Sequence, residues 1–169
     1  MTDAEWEQLV TRTWASIDEM DETEFLARIE QVAAAQPSSD GSGLFERASS
    51  LDSTGHSDLA VPLYRSALER GLAGERRRRA VIQMASSLRN LGETEESVSL
   101  LTAERTAESD PLDDAVAGFL ALALAEVGRE REALSIALVA LAPHLPRSPL
   151  GHRQHRLPHR HPRSPKSDQ

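Results

Sequence analysis

Apolar residues recur at helical spacing from the amino terminus onward. Trp6, Leu9, Val10, Trp14 and Ile17 share one face, and Phe25, Leu26, Ile29, Val32 and Ala33 repeat the pattern in the next segment. Each segment opens on a capping signal, Thr2 with Glu5 and Asp21 with Glu24. The stretch QPSSDGSG, residues 36–43, then breaks the pattern with proline, serine and glycine and reads as a loop. From there to Pro143 the pattern predicts helices at about 43–54, 57–70, 75–91, 93–108, 112–127 and 129–142. Gly55, Gly71, Gly92 and Gly128 stand where a helix end calls for a left-handed residue. No stretch alternates with period two, so the expected fold is all-α. The longest apolar run, AVAGFLALALA at 115–125, covers 11 residues, whereas a bilayer span needs about 20. It reads as a buried helix, with no membrane partner.

The helices repeat as a unit. Gly55, Gly92 and Gly128 are 37 and 36 residues apart. Eleven positions before them stand Leu44, Val81 and Ala117; seven before, Ala48, Ala85 and Ala121; four before, Leu51, Leu88 and Leu124. Five positions after come Ala60, Ser97 and Ala133, and nine after come Tyr64, Leu101 and Ala137. Small residues at recurring positions let the two helices of a hairpin approach closely, and the larger ones fill the seam to the next hairpin. One such hairpin cannot bury its apolar face alone, but three stacked hairpins can.

With this spacing, the segments LFERASSLDSTGHSDLAVPLYRSALERGL and RRRRAVIQMASSLRNLG resemble the tetratricopeptide repeat family, whose period is about 34 residues. More narrowly, they look like its small actinobacterial members. The resemblance covers roughly residues 20 to 147 and departs from the family at Arg47, at Ser97 and in keeping only Tyr64 as the helix-B aromatic. It implies a right-handed helical-hairpin solenoid of three repeats at 37–146, after a helical extension at 1–36 and before a tail at 147–169. It further implies a non-enzymatic scaffold that binds a protein or peptide in a concave groove lined by the first helix of each hairpin. On the family's register the groove positions are Ser42, Phe45, Glu46, Ser49, Asp52 and Ser53 in repeat one. In repeat two they are Arg79, Ile82, Gln83, Ser86, Arg89 and Asn90. In repeat three they are Ala115, Gly118, Phe119, Leu122, Ala125 and Glu126. The candidate binding set drawn from these is Arg79, Gln83, Ser86, Arg89, Asn90, Phe45, Glu46, Ser49, Phe119 and Leu122.

Charge sharpens the picture at one place. The chain carries net charge −8, from 19 Lys and Arg against 27 Asp and Glu, yet GERRRRAVIQ opens a helix with four arginines. Positive charge in a first helical turn costs about 0.3–1 kcal/mol against the helix dipole. Four consecutive helical residues step round about 300°, so Arg76 to Arg79 cannot face one ligand together. Pairing with near acids such as Glu69 and Glu75 is one account. The other is that Arg79 and Arg89 hold a carboxylate or acidic peptide, with Gln83, Ser86 and Asn90 fixing its backbone. An acidic chain without interleaved aromatics is a poor footprint for nucleic acid.

Other chemistry is thin. There is no cysteine, which removes disulfides, thiolate metal sites and cysteine nucleophiles. The amino terminus lacks a signal-peptide pattern, and the expected location is the cytoplasm. His56, Ser57 and Asp58 are adjacent, but a triad is made in space and not by adjacency; helix entry explains them. The acids between Asp18 and Glu24 lack the glycine of a calcium loop. The tail is rich in Arg, His and Pro, with net charge +5 over residues 144–169 against −8 over residues 1–40. Such a composition is expected to be disordered, and its histidines 152, 155, 159 and 161 to hold no resident metal. No cofactor and no catalytic residue is expected. Repeat three lacks an obvious polar cap, which leaves a homodimer, or a purely structural self-associating role, as the alternative.

Overall fold

The computed structural model describes residues 1–107 and 109–146; the tail and its histidines lie outside these. Among the described residues there are eight α-helices and no strand. They are α1 (Asp3–Ala15), α2 (Glu22–Ala34), α3 (Ser42–Ser53), α4 (Ser57–Glu69), α5 (Gly74–Asn90), α6 (Thr94–Arg105), α7 (Asp113–Glu126) and α8 (Glu130–Leu141). Short 3-10 turns follow α1 at Ile17–Glu19 and α8 at Ala142–His144.

The capping signals act as read. The Thr2 hydroxyl accepts from the Glu5 amide while the Glu5 carboxylate accepts from the Thr2 amide, and Asp21 accepts from the Glu24 amide. The backbone is left-handed at Gly55, Gly92 and Gly128, with φ of 89°, 84° and 77°. Each of these ends a first helix and lets the second fold back on it.

The hairpins α3–α4, α5–α6 and α7–α8 stack in chain order, with α2 against α3. The small crossing positions are buried as the spacing predicts: Ala48, Ala85 and Ala121 in the first helices, and Ala60, Ser97 and Ala133 in the second. Two cores result, and α5 serves both. Its Ala80, Met84 and Leu88 pack with Phe45, Ala60 and Tyr64, while its Ile82 and Ala85 pack with Leu101, Leu120 and Leu124. A third, smaller cluster joins Trp6, Val10 and Val32 at the amino-terminal end.

Gly43 marks a close approach that the repeat pattern does not reveal. A Cβ there would lie 2.6 Å from the Gln36 side-chain oxygen and 2.9 Å from the Ala33 carbonyl. That same Gln36 oxygen accepts the Gly43 amide at 2.6 Å, so α2 is pinned to the start of α3. Among the described residues, no helix is long and apolar enough to cross a membrane.

Candidate protein-interaction groove

The first helices α3, α5 and α7 lie side by side, and their facing edges form one wall of the solenoid. Four of the α3 positions on this wall, Ser42, Phe45, Glu46 and Ser49, are buried, whereas Ser53 is exposed. Phe45, Glu46 and Ser49 are 3%, 3% and 4% exposed. Trp14 of α1 covers Glu46, while Phe45 packs into the core with Ala60 and Tyr64 and Ser49 bonds Gln83. Trp14 donates its indole N–H to Glu46 at 2.7 Å, and a cleft of ≈520 Å³ separates α1 from α3 and α5 at Thr11, Ser49, Ser53 and Gln83. Repeat spacing alone gives no sign of this cover, although the Trp6–Trp14 stripe was its one trace.

Beneath α1, Ser49 and Tyr64 both donate to the Gln83 side-chain oxygen at 3.2 Å. Ser87, fully buried on α5, donates to Asp52 at 2.6 Å. These bonds hold α3 and α5 in register. Burial pushes the Tyr64 phenol well above its usual range. Burial likewise raises the Glu46 carboxyl, against the lowering effects of the Trp14 hydrogen bond and of Arg76.

The four arginines fan out, with Arg77 and Arg78 sharing Glu104. Arg76 binds the Glu7 carboxylate through both terminal nitrogens at 2.6 and 2.7 Å, and Glu46 through Nε at 3.1 Å. It also lies over the Trp6 ring at 5.3 Å. The hydrogen bond to Glu7 is the largest cause holding its guanidinium pKa above the ordinary value. Arg77 donates to both oxygens of Glu104 at 2.6 and 2.7 Å. Arg78 is buried and reaches Asp113 at 2.5 Å and Asp110 at 3.2 Å. Arg79 lines the cleft between α1 and the wall and is half exposed. It stacks 6.0 Å above Phe45, and its ion pair with Glu75 is long, at 3.9 Å.

This answers the electrostatic puzzle of the helix start. The hairpin turns back, so the first turn of α5 lies beside the last turn of α6, where Glu104 sits 3% exposed. A carboxylate at a helix carboxyl end and arginines at a helix amino end are each unfavourable alone. Set together, they neutralise one another. Glu75 is a partner as expected, but the principal acids come from α1, α3, α6 and the entry to α7 rather than from Glu69.

The remaining wall residues are more open. Gln83 and Ser86 are half-buried, Asn90 is exposed, and Phe119 is half-buried beside Leu122, which is 50% exposed. Arg89 is engaged within the chain, binding Glu126 of α7 at 2.9 Å. His56 and Asp58 form no triad with Ser57. The His56 ring contacts Glu22 instead, at 2.6 Å. Among the described residues, no group of three or more His, Asp or Glu is placed to hold a metal ion.

A stack of helical hairpins presenting one continuous wall defines a repeat scaffold. The family model described as Tetratrico peptide repeat matches residues 41–152, and the chain belongs to that family. Solved structures share the fold at low identity. MamA from MSR-1 is 18% identical over 81% of this chain and 75% of that chain, with TM-score 0.62. MamA from AMB-1 is 19% identical over 79% and 75%, with TM-score 0.60. The nearly identical TPR-like repeats of a Podosopora anserina kinesin light chain are 19% identical over 86% and 79%, with TM-score 0.69. No curated protein sequence matches the chain.

Proposed function

We propose that the chain is a non-enzymatic, cytoplasmic scaffold that binds a protein or acidic peptide along the open part of its wall. The tetratricopeptide fold supports protein interaction in general. That part is formed by Ser86 and Asn90 of α5 with Phe119 and Leu122 of α7, and Arg79 and Gln83 stand at its border with the cleft under α1. Phe45, Glu46 and Ser49 support it from beneath, and Arg89 braces α5 to α7. The observation that carries this reading is the half-exposed Leu122 one turn from Phe119. Apolar side chains there, with a loosely paired arginine on the same wall, match the usual make-up of a recognition surface with an apolar centre and a polar rim.

The test is differential capture. Wild type and the Arg79→Glu, Leu122→Asp double variant serve as baits, and bound proteins are identified by mass spectrometry. A partner held by wild type and lost from the variant is the expected result. Identical sets from both baits would overturn the assignment of the wall.

A second reading is favoured by a separate observation. Leu134, Leu138 and Leu141 recur at helical spacing on α8 and are 60%, 54% and 48% exposed, with Leu145 beyond them at 55%. A self-associating chain would bury this stripe. It predicts a dimer mass in light scattering that Leu134→Glu with Leu138→Glu reduces to a monomer.

A further inference from the structure

Helix α1 is seated differently from every other helix of the stack. Trp6 fixes one edge to α2 by donating to the Val32 carbonyl at 2.8 Å, but α1 packs on α2 far more loosely than α3 packs on α4. Its other edge reaches across to the wall. Glu7 grips Arg76 of α5, and Trp14 grips Glu46 of α3. The grip is partly wet, since the Glu7 side chain is 48% exposed. The seat is also incompletely filled, as the ≈520 Å³ cleft between α1 and the wall shows. The wall underneath is mainly polar, with Arg76, Arg79, Gln83 and Ser49 beside Phe45. Trp6, Val10 and Trp14 of α1 also cover Val32 and Phe25, so the helix that replaces α1 must be amphipathic.

These features are those of a helix laid in a groove, with anchors at fixed helical spacing. The anchors are a carboxylate and, two turns further on, a tryptophan. We propose that α1 is an exchangeable occupant of the α3–α5 wall, and that a partner's amphipathic helix presenting a carboxylate and a tryptophan two turns apart displaces it. A tethered occupant competes at an effective concentration on the order of millimolar, so the free wall is recognised strongly only when the grip of α1 is loosened. The inference shares Arg79 and Gln83 with the proposed partner surface but not Ser86, Asn90, Phe119 or Leu122, so Leu122→Asp tells the two apart.

The probe is a fluorescein-labelled peptide of residues 1–20, titrated into full-length chains and followed by anisotropy. Wild type is expected to bind it weakly. Glu7→Lys places a like charge against Arg76 and loosens the tethered helix, and should bind the peptide at least ten-fold more tightly. Adding Arg76→Gln to Glu7→Lys should remove that gain. Where circular dichroism shows lost helix in the Arg76→Gln chain, Arg76→Lys replaces it; this keeps the charge without the two-pronged bond and should remove part of the gain. Equal affinity for wild type and Glu7→Lys, or indifference to the Arg76 change, would overturn the proposal. A loss caused by Leu122→Asp would move the peptide to the other wall and overturn it equally. A doubled mass of wild type that Arg76→Gln abolishes would give the seat to α1 of a second copy, and the partner-helix assignment would fall.

Discussion

The two ends of the solenoid solve the same problem in opposite ways. At the amino-terminal end, Phe25, Ile29 and Val32 of α2 are each 1% exposed, and Trp6 of α1 is 2% exposed. At the other end, α8 buries Ala133 and Ile136 but leaves Leu134, Leu138 and Val139 more than half exposed. Each repeat in such a stack relies on its neighbour to cover its apolar face, and an end has one neighbour too few. The first end spends two extra helices on that cover. The described residues of the last end do not. Among the described residues, one end is covered and the other presents an apolar surface.

The largest test of this contrast is a pair of truncations. Phe25→Ala should cost about 3–5 kcal/mol, as deletion of a fully buried ring does. Leu138→Ala, equally apolar but half exposed, should change stability by no more than about 0.5 kcal/mol. Urea denaturation of both variants measures the difference. A large loss at Leu138 in a monomeric sample would mean that α8 is covered, and the contrast between the ends would break.

A smaller version of the same test compares neighbours inside the arginine run. Arg78 is buried and tied to Asp113 and Asp110, whereas Arg79 is half exposed on a long pair. Removing Arg78 by Arg78→Ala should cost about 1.5–3 kcal/mol, the range for a hydrogen bond to a charged group. Arg79→Ala should fall within about 0.5 kcal/mol. Reversal of that order would place the structural load on the groove side of α5 and count against Arg79 as a residue kept for a partner.

The scaffold was legible in the sequence because repetition multiplies a weak signal. Ala48, Ala85 and Ala121 say little singly, but at one offset from three turn glycines they define a crossing. The groove was less legible because offsets within a repeat describe only that repeat and its like. Glu46 holds groove register, yet Trp14 of α1, which belongs to no repeat, covers it; Phe45 and Ser49 hold it too, but the core takes one and Gln83 the other. Arg89 holds groove register too, and Glu126 takes it. The destinations of Arg76, Arg77 and Arg78 were invisible for the same reason. Their partners Glu7, Glu104 and Asp113 lie about 27 to 69 residues away, and no spacing rule links residues across three different interfaces.

The finest test sets one acid of the covered wall against one at the entry to α7, through pH. Burial raises the Glu46 carboxyl above its ordinary 4.5, so the folded chain holds that proton more tightly than the unfolded chain. The stability that Glu46 contributes is therefore full below about pH 4.5 and is lost as pH rises through its folded value. Asp113 runs the other way. The Ser109 hydrogen bond, with help from the Asp110 amide and Arg78, holds its carboxyl below 3.8. Its contribution is present above 3.8 and is lost as pH falls through the folded value. Mild acidification from pH 7 to 4.5 should thus raise the urea midpoint of wild type relative to Glu46→Gln, while the difference between wild type and Asp113→Asn stays flat until below 3.8. A wild-type minus Glu46→Gln difference that shrinks on mild acidification would mean that the Trp14 and Arg76 bonds outweigh burial. The α1 clamp would then be a tight ionic lock instead of an exchangeable grip.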